Sequence, residues 1–486
     1  MPASHRSLPS LLTIAALSLA ISACTVGPDH VRPDLPVAQR FARDAGSGDA
    51  AMAPAADAAF WRAFGDARLD ALVEAALAAN HDLRIALAQY DRANALLRGA
   101  KFDALPTITA NADARDTRAS ADQMPGVGRD ARDVESYSIG ASVAWELDLF
   151  GRIRRNVEAG RAEAQASASD LAAAQVAIVG EVARTYFELR GLQERLRVAR
   201  ENADNQAETL RLVQARFDAG RDSEFDLSRA RAQQAATSSR IPALEAQTAT
   251  AMHRLAVLTG RTPDALIAEL SAPAPLPALP ARIDPGTPGD LLRRRPDVAA
   301  AEARLHAATA RIGVATADLF PRFTLGGLIG SQAIDTSALF ERGSETRLVA
   351  LGIDWSFLDI GRVRARIAAA DADAAGTLAA YERSVLLALE DTENALVRHA
   401  RAREEDALLE RAASDSARAA TLARTRFEAG ATGLLDVLDA ERTRLQAEDA
   451  FADARTRSAT SAVGLFKALA GGWPQSLPAR VEVGQR

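Results

Sequence analysis

Asp436 and Asp439 stand three residues apart, shortly after Gly430, a spacing that puts both carboxylates on one face of a helix. Spacing alone leaves two readings of that face open. The pair complements the positive start of a helix after the glycine, or it repeats around an axis as rings of negative charge that repel one another and admit cations. Bond-making chemistry is not indicated. The histidines, His5, His30, His81, His253, His306 and His399, are scattered, with no pair at metal-ligand spacing, and no glycine-rich phosphate loop follows a strand. No catalytic residue, metal or cofactor is expected, so the chain reads as a non-enzyme.

Cys24 is the only cysteine, which excludes an internal disulfide framework and a cysteine metal cluster. It follows His5 and Arg6, an apolar run over 11–20, and the step Ile21-Ser22-Ala23, the layout of a signal peptide ending in small residues. The run is far short of the roughly 20 residues a spanning helix needs. A cysteine directly after that step resembles a bacterial lipobox, which predicts cleavage before Cys24 and lipid, palmitate included, on its sulfur and new amino group. A plain secretory signal with an incidental cysteine is the alternative. Thr25, rather than Asp, follows, which in lipoproteins is similar to the outer-membrane default. Residues 1–23 are therefore expected to be a signal peptide and 24–59 a lipidated N-terminal segment. With 25% charged residues, 5% aromatics and a net charge of -6, the Ala-rich chain suggests extended helices and offers no basic face for nucleic acid.

The elements that must position these residues come from a duplication. Pro321 lies 215 residues after Pro106, and the same offset carries Asn80-His81-Asp82-Leu83 onto Arg295-Pro296-Asp297-Val298. Further on the offset is 210, carrying Trp145 onto Trp355, Gly151-Arg152 onto Gly361-Arg362, Gly220 onto Gly430 and Asp226 onto Asp436. Copy one is placed at 60–270 and copy two at 290–475, with a tail at 476–486. A Pro-rich connector at 271–289 cannot continue a helix or a central strand.

Each copy holds two strands of period two, at about 107–118 and 136–148, then about 322–332 and 346–358. Tyr137, Ile139, Ala141, Val143, Trp145 and Leu147 share one face of the second strand, against Ser138, Ser142 and Glu146 on the other. Proline-free runs of 69 residues follow at 152–220 and 362–430, each reaching roughly 100 Å if helical throughout. From Val182 to Phe217 apolar residues step by three or four with a mean of 3.5, a left-handed coiled-coil seam. The return runs are half as long. The return run at 223–258, stacked end to end with the helical run at 69–101, matches one long run, and 434–470 with 290–319 does nearly the same in copy two, so each glycine, Gly220 or Gly430, ends a helical hairpin at a tip.

No segment is left to cover four half-apolar strands, and open edges in lipid would strand backbone groups at several kcal/mol each. Four strands cannot close a barrel, whereas three chains give twelve with a polar lumen. Trp145, Phe150, Trp355 and Phe357 then lie where an aromatic girdle belongs. The alternative is a periplasmic sheet in a globular domain. The expected fold class is mainly α with transmembrane β: a trimeric twelve-stranded barrel continuous with a long periplasmic coiled-coil barrel.

These residues resemble the TolC-like outer membrane factor family, in its lipoprotein branch serving resistance-nodulation-division (RND) efflux systems. The markers are Cys24-Thr25-Val26-Gly27-Pro28-Asp29 with Arg32-Pro33, Phe60-Trp61-Arg62-Ala63-Phe64-Gly65-Asp66, Leu291-Leu292-Arg293-Arg294-Arg295-Pro296-Asp297-Val298, Leu319-Phe320-Pro321 and both Arg-Phe-x-x-Gly tips. The resemblance covers the mature chain. It implies a homotrimer anchored in the Gram-negative outer membrane, in contact with its lipid, and joined through a periplasmic adaptor (membrane-fusion protein) to an inner-membrane RND pump. It places adaptor contacts at Phe217, Ala219, Gly220 and Arg221 and at Phe427, Ala429, Gly430 and Ala431, and a pore-closing acidic ring at Asp436 and Asp439. An arginine latch of some members would fall at Thr432, leaving Arg221 as a substitute. The first tip carries Asp226 and Arg229 at the places matching the acidic pair, and reads as a brace. The implied function is a passive efflux duct for drugs or other small molecules. A duct for type I protein secretion, or a scaffold lipoprotein without a pore, are the alternatives.

Overall fold

The computed structural model describes residues 25–34, 36–42, 59–280, 282–470 and 480. In chain order the elements are α1 (Ala67–Ala79), α2 (His81–Phe102), β1 (Thr107–Arg118), β2 (Asp133–Leu147), α3 (Arg152–Asp218), α4 (Glu224–Ser238), α5 (Arg240–Leu258), α6 (Ile267–Leu270), α7 (Pro288–Arg294), α8 (Pro296–Ala317), β3 (Arg322–Ala333), β4 (Glu345–Asp354), α9 (Ile360–Glu428) and α10 (Leu434–Ala468). They fall into two compact units, one of residues 1–34, 90–167 and 300–382 and one of residues 35–89, 168–299 and 383–486.

The first unit holds an antiparallel sheet in the order β1-β2-β3-β4. Ile108 pairs with Val143, Trp145 with Leu325, and Leu325 with Leu351, so the register gathers most apolar side chains of the four strands on one face, with Leu328 and Leu348 on the other beside Ser142. Among the described residues nothing covers the mainly apolar face. β1 is exposed along its whole length, and Ile329 and Val349 are 71% and 82% exposed. β2 and β3 are the seam between the two copies, and Gly140 pairs with Gly330 there. A Cβ on Gly330 would stand 2.5 Å from the Ile139 carbonyl oxygen, so this close approach requires glycine. β1 and β4 each keep one unpaired edge. β4 ends at Asp354, short of the expected 358, and Phe357 lies in a 3-10 turn instead. The physical reason is Pro321: the register that pairs Asp354 with Arg322 would set Trp355 against Pro321, which has no N–H to donate, so the ladder stops there.

The second unit has an aromatic centre. Phe60 stacks on Phe466 at 4.9 Å and Phe64 meets Phe187 edge-on at 4.8 Å. Its short helices break where the repeat predicts equivalent residues. Asn80 accepts from the Asp82 and Leu83 N–H groups and donates to the Leu258 carbonyl, separating α1 from α2. Arg295, 215 residues later, separates α7 from α8 and donates to the Ala468 carbonyl at 3.1 Å. The single run expected over 69–101 is therefore two helices. The return run after the first tip also divides, at Ser239 into α4 and α5, whereas its counterpart α10 is unbroken.

Candidate functional site

Both tips lie in the second unit and share one backbone solution. The Arg221 N–H reaches the Arg216 carbonyl and the Ala431 N–H reaches the Arg426 carbonyl, each at 2.8 Å, closing the helix ends with Gly220 at φ 68° and Gly430 at φ 73°. That left-handed conformation strains a side chain and suits glycine. Beneath the turns Val213, Leu227, Phe427, Leu434, Val437 and Leu438 form a buried cluster, with Phe217 packed against it. The tip glycines, Ala219, Ala429, Ala431 and Arg221 stay exposed, so the turns present backbone and small side chains outward.

The sequence marked Arg216 only as the first residue of a tip motif and did not reveal its partners. Its guanidinium lies 4.9 Å from the Phe427 ring and 3.0 Å from Asp222, joining the first tip to the second. Asp222 corresponds to Thr432 in copy two, so this ion pair has no counterpart there. Among the described contacts, Asp226 and Arg229 act inside the first tip. Asp226 forms a capping box with Ser223, and Arg229 lies 5.4 Å from the Phe225 ring. The second return helix has Gly433 at its start and no side-chain cap.

Asp436 and Asp439 are exposed on one side of α10, while Val437 and Leu438 face the cluster. Thr432, at the place of the absent arginine, donates its hydroxyl to Asp436, and Arg442 pairs with Asp439. One turn further Glu441 is buried, held by Gln206 Nε2 at 2.8 Å and facing Arg424 at 3.4 Å. Burial raises its pKa, against the pull of Arg424, Arg444 and Gln206. Higher up, Arg195 on α3 binds Asp449 on α10 at 2.8 Å, and Arg240, beside the Ser239 break, reaches the same carboxylate at 3.4 Å.

At the sheet base in the first unit, the Trp145 indole N–H donates to the Ala104 carbonyl at 3.1 Å, the counterpart of Trp355 on Leu319. Phe150 stacks on Phe320 at 4.6 Å, and Trp355 tilts against Phe357 at 5.4 Å. Cys24 lies outside the described residues. Two residues on, the Val26 N–H donates to the Phe150 carbonyl at 3.2 Å, and Arg155 binds the Gly27 carbonyl and Asp29, which fixes this stretch of chain beside Phe150.

Among the described residues no group of three or more His, Cys, Asp or Glu side chains could hold a metal ion, and no helix is long and apolar enough to cross a membrane. The outer membrane efflux protein family model matches residues 72–261 and 287–471. Outer membrane protein OprJ of Pseudomonas aeruginosa is 34% identical over 489 residues, covering 97% of each chain. Nodulation protein T of Rhizobium leguminosarum bv. trifolii is 31% identical over 89% of this chain and 91% of its own. The solved outer-membrane channel OprN is 41% identical with a TM-score of 0.86, covering 93% of this chain and 100% of that one.

Proposed function

The chain belongs to the outer membrane efflux protein family, and from that premise we propose that it is the lipid-anchored exit duct of an RND-type tripartite pump. Its place is the Gram-negative outer membrane and its role is efflux. Three copies supply twelve strands and a ring of helices. Cleavage before Cys24 and acylation there anchor each copy. The scheme of a signal at 1–23, a lipidated segment at 24–59, repeats at 60–270 and 290–475, and a connector at 271–289 belongs to the same reading.

The observation that supports it most is the sheet, with an uncovered apolar face and unpaired edges on β1 and β4. Further copies satisfy those edges, and lipid satisfies the face. The tips Phe217, Ala219, Gly220, Arg221 and Phe427, Ala429, Gly430, Ala431 are the surface that a helical adaptor grips. Asp436 and Asp439 then stack as two carboxylate rings at the constriction, drawing in cations and closing the resting pore. The first tip is capped by Ser223 and Asp226 while the second is uncapped, so the second is the part that yields on opening. Relatives named for solvent, toluene and pyoverdine efflux support small-molecule cargo over protein cargo. Imaging of purified particles tests the assembly: a threefold tube is expected, and a monomeric coiled coil would leave the scaffold alternative.

A further inference from the structure

We propose that the groove at the sheet base of the first unit binds the phosphate of an anionic phospholipid from the periplasmic leaflet. The site rests on the reading of the sheet as membrane wall. The groove has a volume of about 1170 Å³ and lies between the end of α2, the end of β2 and the first turns of α3. Trp145 and Leu147 enter it from the apolar face of the sheet, and Val157 and Ala162 add apolar wall from α3.

The carboxylates of the groove are already paired, two of them by arginines outside its lining. Glu146 is taken by Arg152 through two bonds of 2.8 and 2.7 Å. Asp148 accepts from the Ile153 and Arg154 N–H groups and pairs with the Arg154 guanidinium at 3.2 Å. Glu158 is shared by Arg155 and His306, each at 2.8 Å. Every carboxylate of the lining is thereby occupied. Lys101 and Arg161 line the same groove, both exposed, and neither pairs with a carboxylate among the described residues. Two cations without a carboxylate partner, beside a membrane-edge indole, match a headgroup phosphate, with the acyl chains lying along the apolar face. The Trp145 ring is fixed for that contact by its bond to the Ala104 carbonyl.

The strand end selects the leaflet. Trp145 is at the end of β2 that leads into α3, opposite the end joined to β1 by the loop at 119–132. Copy two keeps the tryptophan, as Trp355, but has Thr316 for Lys101 and Asp371 for Arg161. The aromatic belongs to both copies, and the cationic pair to one.

Native mass spectrometry of the full lipidated protein, exchanged from detergent into mixtures of phosphatidylglycerol and phosphatidylcholine, tests the site. Retention of one phosphatidylglycerol per chain is expected, with preference over phosphatidylcholine. Lys101→Gln with Arg161→Gln should lower that retention about tenfold or more, while Lys101→Arg with Arg161→Lys keeps it. Equal retention by the Gln pair, or equal retention of phosphatidylcholine by the natural chain, in an intact trimer overturns the site and leaves the duct untouched. Failure to find a trimer would sink the duct reading, and the site with it.

Discussion

The Arg216 guanidinium of the first tip stands 4.9 Å from the Phe427 ring of the second while Asp222 holds it from behind at 3.0 Å. The two duplicated turns are thus joined within one chain by a cation over an aromatic face, a contact worth about 1 kcal/mol. Arg216→Leu should loosen the second tip by about that amount. Faster limited proteolysis near Gly430, with the sheet unchanged, is the expected readout, and Asp222→Thr should reproduce part of it.

Glu441 offers a second test. Its carboxylate is 8% exposed and its pKa is raised, mainly by burial. A carboxylate with a raised folded pKa weakens the fold when ionised. The penalty is present above that folded value, and it is relieved as pH falls through it toward the ordinary 4.5. Glu441→Gln should therefore raise the unfolding midpoint at pH 7.5 and leave it nearly unchanged at acid pH. Arg424→Ala should cost about 2 kcal/mol in the natural chain, because it removes the cation paired with the buried charge, and clearly less in the Glu441→Gln background.

His399 works in the opposite direction. Burial, aided by Arg403, lowers its pKa from 6.5 to about 4, and its Nδ1 lies 3.0 Å from the Ser461 hydroxyl. A histidine kept neutral in the fold contributes stability that is whole above 6.5 and is lost as pH falls from there toward about 4. The loss is bounded at about 3 kcal/mol. His399→Gln should flatten the acid limb of the melting profile between those values, whereas Glu441→Gln should steepen it.

Gly430→Ala isolates the backbone of the second tip. With φ at 73° and no atom within 4 Å of the added Cβ, the substitution causes strain without a clash. A cost of about 1 kcal/mol is expected. Gly430→Asn should cost less, because asparagine tolerates this conformation. Pull-down with a cognate adaptor should weaken more for the alanine variant than melting temperature alone predicts, if the turn is the gripped surface as proposed.

Much of this architecture was legible because it is periodic. The alternation over 136–147 placed Trp145 on the apolar face, and the 210-residue offset aligned both glycine turns before any coordinate was known. Contacts between distant helices left no such trace. Arg195 and Asp449 are 254 positions apart, and nothing in either neighbourhood marks them as partners on a chain rich in solvated charges. Arg216 was hidden for a related reason: its place in the repeat is kept by Arg426, and only the change from Asp222 to Thr432 separates a paired arginine from an unpaired one. The Ser239 break did leave a trace: Pro242 sits inside 223–258, where a single helix would not tolerate it, and it falls instead in the first turn of α5, so reading that stretch as one helix overlooked it.

The gate is tested most directly by single-channel recording in planar bilayers of the Asp436→Ala, Asp439→Ala double variant. The carboxylate pair on the exposed side of α10 is read as the constriction, so conductance should rise and cation preference should fall relative to the natural chain. Unchanged conductance together with unchanged cation preference would contradict the assignment and return both aspartates to the role of helix-start charges.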